Sequence, residues 1–158
     1  MTPQKQKNQH LPEEGLIGDC HRTCYACLLD MDRDSVPNFG EVGFDITKEE
    51  GGNRKEFAEA CKSWLASQGY AEFMVGFNCD LSDVQGFMNA VNPGQYYILG
   101  GRSCTGVNHS VIGLNDMIVW DPSLTDAGIV GPCEPDGLYW ITILVPISQT
   151  VEGNCNRE

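Results

Sequence analysis

The stretch Asn108-His109-Ser110-Val111-Ile112-Gly113-Leu114-Asn115-Asp116-Met117-Ile118-Val119-Trp120-Asp121-Pro122 decides how this chain folds. Two short apolar runs rich in β-branched residues flank a Leu114-Asn115-Asp116 turn, the pattern of an antiparallel hairpin. His109 opens the first run and Asp121 closes the second. Side chains alternate along a strand, so these two share a face only when the paired residue numbers add to an even sum. A three-residue loop at 114–116 pairs Gly113 with Met117 and gives an even sum; a two-residue loop at 115–116 pairs Leu114 with Met117 and gives an odd one. Asn and Asp tolerate the left-handed backbone that a bulged three-residue loop requires, so the three-residue loop is expected.

Working outward, further strand-like runs fall at 71–77, 96–99, 107–113, 117–120 and 138–145, separated by Gly, Pro, Asn and Asp. Helical periodicity comes earlier. The first helix is expected over 20–31, with Asp19 as N-cap and Cys20, Cys24, Cys27, Leu28 and Met31 as its apolar stripe. A second begins at the Asn53 cap with Glu56 in a capping-box-like pair, buries Phe57, Ala60, Cys61, Trp64 and Leu65, and stops at Gly69. A short third helix over 81–91 is halted by Pro93. Helices first and a mostly antiparallel sheet later is an α+β arrangement. The expected organisation is an irregular N-terminal arm over 1–17, one domain over 18–147 and a C-terminal tail over 148–158.

The 158 residues, 41% of them hydrophobic, suit one domain burying roughly two thirds of its unfolded surface. A formal charge of -12 repels phosphate backbones, and the ten Lys and Arg residues form no basic patch, so no nucleic-acid partner is expected. No apolar run is long enough for a signal peptide or a membrane span, which points to a cytoplasmic protein without a membrane partner. Eight cysteines in such a chain suggest free thiols, metal ligands or catalysis before disulfides.

Gly18-Asp19-Cys20 places a thiol at a helix start, where exposed amides and the macrodipole favour a thiolate. Cys24 and Cys27 lie deeper and are poorer nucleophiles. Of the three histidines, His21 follows Cys20 directly and points about 100° away from it on the helix. His10 lies in the arm, expected to be mobile. His109 alone can be brought to Cys20 by tertiary folding, with Asp121 to orient its ring. Plainer roles exist for each: a core stripe for the cysteines, a backbone-bonded buried histidine, an Asp-Pro turn.

Together, Gly18-Asp19-Cys20 leading into a helix, His109-Ser110-Val111-Ile112 and Val119-Trp120-Asp121-Pro122 resemble papain-like cysteine peptidases of the bacteriocin-processing type. More closely they are similar to small phage and bacterial proteins sharing a "GDCxxAC" helix, a "VPNF" turn, a "YYI" strand and a histidine-to-"DP" hairpin. The resemblance covers about residues 9–147. It implies a papain-like fold, a nucleophilic Cys20, a base in His109, an orienting Asp121, no cofactor and no metal. It also implies an upstream glutamine at the oxyanion, for which Gln9, eleven residues before Cys20, is the candidate and Gln6 the next. The implied activity is hydrolysis or acyl transfer at a peptide or amide bond.

Two other classes compete. Cys20-x3-Cys24-x2-Cys27 has the spacing of a radical SAM iron-sulfur motif, and Cys20, Cys24, Cys104 and His109 are the parts of a zinc site. The helical pattern argues against the first and the lack of paired C-x2-C against the second. The stronger rival is a papain-like scaffold without catalysis that binds a peptide, nucleotide or small metabolite.

Overall fold

The computed structural model describes residues 1–11, 14, 16–40 and 54–148. Helix α1 (Cys20–Leu28) is followed by a 3-10 turn (Arg33–Ser35), helix α2 (Arg54–Ser67), strand β1 (Tyr70–Phe77), helix α3 (Leu81–Val91), and strands β2 (Tyr96–Arg102), β3 (Asn108–Leu114), β4 (Met117–Trp120) and β5 (Tyr139–Pro146). The strands form one sheet in the order β1-β5-β2-β3-β4, antiparallel at every pairing. The fold is therefore α+β.

Helices α1 and α2 cover one face of the sheet and α3 the other, so the helices are not all N-terminal to it. Alternation along the strands divides the core. Ile98 and Ile112, paired across β2 and β3, join Cys24, Tyr25, Ala26, Cys61 and Leu65 under the first two helices. Leu99 and Val111, the next pair, join Val84 and Met88 of α3. A fully buried aliphatic side chain contributes about 1.5–3 kcal/mol, so two such clusters supply most of the driving force.

Helix α1 stops at Leu28, three residues before the expected end at Met31. Asp30 has turned to φ 54, a conformation that Asn and Asp adopt more readily than most residues, and its N–H returns to the Cys27 carbonyl. Helix α2 ends as its sequence predicts, before Gly69 at φ 81. The expected cap Asn53 lies outside the described residues, as does the tail beyond residue 148.

The N-terminal arm is irregular, as expected, but it is docked rather than loose. Thr2 N–H donates to the Cys27 carbonyl, Gln4 Nε2 to the Met31 carbonyl at 2.6 Å, and Gln6 N–H to the Pro122 carbonyl at 2.7 Å. Lys5 Nζ donates to the carbonyls of Asp121 and Ser123 and lies over the Trp120 ring. The arm thus runs between the first helix and the loop after β4.

Candidate active site

Cys20 is the first residue of α1 and is half-buried. Asp19 occupies the N-cap position, yet its side chain makes no capping bond, contrary to expectation. Its carboxylate is fully buried and spent elsewhere. Oδ1 accepts the N–H groups of Lys7 (3.0 Å) and Asn8 (2.8 Å), and Oδ2 accepts Arg22 Nε (3.1 Å) and Nη2 (2.9 Å). Two backbone donors on the arm and a guanidinium two residues past Cys20 compete better for a buried carboxylate than helix amides do. The first-turn amides of α1 are left uncapped by Asp19 beside the thiol.

His109 is buried near the start of β3, and Asp121 follows β4. The hairpin between them has the two-residue turn Asn115-Asp116, with Leu114 opposite Met117 and Gly113 opposite Ile118, not the three-residue loop expected. Asn115 takes φ 54, which lets the tight turn close. That register is odd and by itself would send His109 and Asp121 to opposite faces. A bulge between Ile112 and Gly113 then pairs Ile112 with Trp120, adds one residue on the β4 side and restores the even register. Continued past Trp120, it places Asp121 on the face that Val111 and His109 share.

The result is a short bond: His109 Nε2 lies 2.7 Å from Asp121 Oδ1. Asp121 is itself fixed, with Ser123 N–H donating to Oδ1 and Gly128 N–H to Oδ2, each at 2.7 Å. Cys20 is the second group that acts on the same imidazole, and like Asp121 it favours the charged ring. Burial works against an imidazolium here. Hydrogen bonds to Asp121 and Cys20, with the charges of both, outweigh it and push the His109 pKa up to about 9. Burial likewise works against the Asp121 carboxylate, but bonds from His109, Gly128 and Ser123 hold it well below the usual carboxylate range.

Cys20 and His109 open into a cavity of about 680 Å3 whose wall includes Gln6, Gln9 and His10 from the arm and Ser123 from the loop after β4. Gln9 is exposed, whereas Gln6 is 7% exposed and its Oε1 has no hydrogen-bond partner among the described residues. Sequence order favoured Gln9 because it is nearer Cys20; the docked arm makes Gln6 the buried one. His10 is not in a free tail either, since its Nδ1 accepts the Gly18 N–H at 3.3 Å and burial lowers its pKa.

The other helical cysteines take no part. Cys24 and Cys27 are buried, and burial first of all raises both thiols, Cys24 well above its ordinary value. Their sulfurs bond the carbonyls of Ser110 and Gln4. Cys104 is exposed. Among the described residues, no group of three or more His, Cys, Asp or Glu is arranged to hold a metal ion, and no helix is long and apolar enough to cross a membrane. Comparison of the chain with protein-family models, with curated proteins and with solved structures returns no match.

Proposed function

We propose that this chain is a papain-like thiol hydrolase or acyltransferase acting on a peptide or amide bond, with Cys20 as nucleophile, His109 as acid and base, and Asp121 as orienter. The observation that carries the reading is the imidazole of His109 held between the Cys20 thiol and the Asp121 carboxylate at the mouth of a cavity. In this reading His109 takes the Cys20 proton and the sulfur attacks the carbonyl carbon. The Cys20 amide, on the uncapped first turn of α1, and a side-chain amide from Gln6 or Gln9 bind the oxyanion.

Collapse of the tetrahedral adduct breaks the C–N bond. A ring with a pKa of about 9 carries at neutral pH the proton that the leaving amine needs. The acyl thioester on Cys20 is then released to water activated by His109, or to a second amine in transfer. Among the described residues no Lys or Arg lines the cavity, and the chain carries -12, which supports a neutral or basic peptide or small amide as substrate.

Alkylation with iodoacetamide followed by peptide mass spectrometry tests this directly. Cys20 should label fastest of the eight thiols at neutral pH, ahead of the exposed Cys79 and Cys104, and Cys20→Ala should abolish the fast phase. A binder without catalysis shows no such thiol. Equal labelling of Cys20 and Cys104, or faster labelling of Cys24 or Cys27 in the folded protein, overturns the reading.

A further inference from the structure

Cys20 and His109 stand on different elements, and the residue after each is bonded to the other. His21 Nδ1 lies 3.1 Å from Ser110 Oγ, and His21 Nε2 lies 2.9 Å from the Tyr25 hydroxyl. The chain continues, with Tyr25 donating to Glu72 Oε2 at 2.7 Å. Its direction is fixed throughout. A carboxylate only accepts, so Tyr25 must give its proton to Glu72, and its oxygen accepts from His21 Nε2–H. A neutral imidazole protonated on Nε2 has a bare Nδ1, which takes the Ser110 hydroxyl proton.

His21 is suited to that neutral role, because burial lowers its pKa to about 4. Cys24 adds a second tie, donating from Sγ to the Ser110 carbonyl at 3.6 Å. Ser110 is therefore gripped by side chain and backbone from two successive turns of α1. Apolar packing of α1 on β3 resists separation but allows sliding and rotation, whereas these bonds set both the register along the strand and the rotation of the helix.

We propose that His21 and Ser110, backed by Tyr25 and Glu72, form a positioning device that fixes the approach of Cys20 to His109. Neither residue touches substrate; both act through their neighbours. The catalytic consequence rests on the hydrolase reading above, whereas the geometric consequence does not. Misplacement by about 1 Å costs roughly 10²-fold in rate, so that loss is the size expected when the device is broken.

The test uses the full chain with isotope-labelled histidine. Ser110→Ala removes the proton donor to His21, Ser110→Thr restores a hydroxyl, and Tyr25→Phe removes the acceptor beyond His21 if the first variant folds poorly. NMR titration of His109 should fall below its wild-type midpoint in Ser110→Ala, because contact with Cys20 is lost, and should recover in Ser110→Thr. In a Cys20→Ala background, Ser110→Ala should leave the His109 titration unmoved. Cys20 alkylation should drop roughly 10²-fold with a displaced pH profile in Ser110→Ala. An unmoved His109 midpoint in folded Ser110→Ala and Tyr25→Phe overturns the positioning role, whatever the chemistry of Cys20. A shifted midpoint in a protein whose Cys20 alkylates no faster than Cys104 sinks the hydrolase reading and leaves the device standing.

Discussion

Asp19 Oδ1 accepts the N–H of Asn8 at 2.8 Å, so the residue preceding the candidate nucleophile carries the N-terminal arm. The same carboxylate holds Arg22 through its other oxygen, with the two side chains 0% and 11% exposed. Removing the carboxylate strands the N–H groups of Lys7 and Asn8 and leaves Arg22 with only the exposed Asp34, 3.8 Å away, and the Val36 carbonyl. Asp19→Ala should therefore lose about 3–5 kcal/mol of stability and free the arm for cleavage by a nonspecific protease. Denaturant titration and limited proteolysis report both, and an arm that stays protected in the variant disproves the tether.

Replacing Asp121 with asparagine keeps the shape but puts N–H donors where three donors now converge. The His109 pKa should fall from about 9 toward its ordinary value, since the Asp121 bond and charge both raise it. Turnover on any amide substrate should fall roughly 10²- to 10⁴-fold. An NMR titration that leaves His109 in place in Asp121→Asn rules out the carboxylate as the cause.

Stability should peak near neutral pH because two histidines shift in opposite directions. His109 is raised to about 9, so its contribution is complete below the unfolded value of 6.5 and is lost as pH climbs from there to about 9. His21 is lowered to about 4, so below pH 6.5 the unfolded chain binds a proton that the folded chain refuses, and stability declines as pH falls toward 4. Unfolding free energies measured across pH 4 to 10 should show both limbs. His21→Gln should flatten the acid limb alone, and an acid limb of unchanged slope in that variant excludes His21.

Inserting one alanine between Trp120 and Asp121 shifts the register beyond the bulge by one residue, and Asp121 should then fall opposite Ser110, on the other face from His109. The lengthened hairpin should lose the His109–Asp121 bond, with a His109 titration like that of Asp121→Asn. A wild-type midpoint after the insertion shows that the loop beyond β4, not the register, places the carboxylate.

Much of this fold was legible because punctuation is local. Pro93 and the Asn-Asp turn set the limits of α3 and β4 at the residues observed, 81–91 and 117–120. β2 was read short at Leu99 because Gly100-Gly101 looks like a stop, yet the strand runs to Arg102. A Cβ at Gly101 would lie 2.8 Å from the Gly131 carbonyl, so this glycine admits a crossing chain rather than a turn, and only the folded structure shows that chain. Cys20, His109 and Asp121 were selected by residue chemistry and order. Asp19 as tether, Gln6 as the buried glutamine and the His21–Ser110 bond depend on contacts between segments far apart in sequence, where periodicity carries no signal.

The bulge has one more consequence. A single residue changes the parity of the hairpin between its tip and its base, so the turn and the site obey separate geometric rules. The tip is secured locally, with Gly94 N–H donating to Asn115 Oδ1 and the Tyr97 hydroxyl to the Asn115 carbonyl. Loops of different length are thus interchangeable at 115–116 provided the strand gains or sheds one residue below them, and the chemistry at the base need never register the exchange.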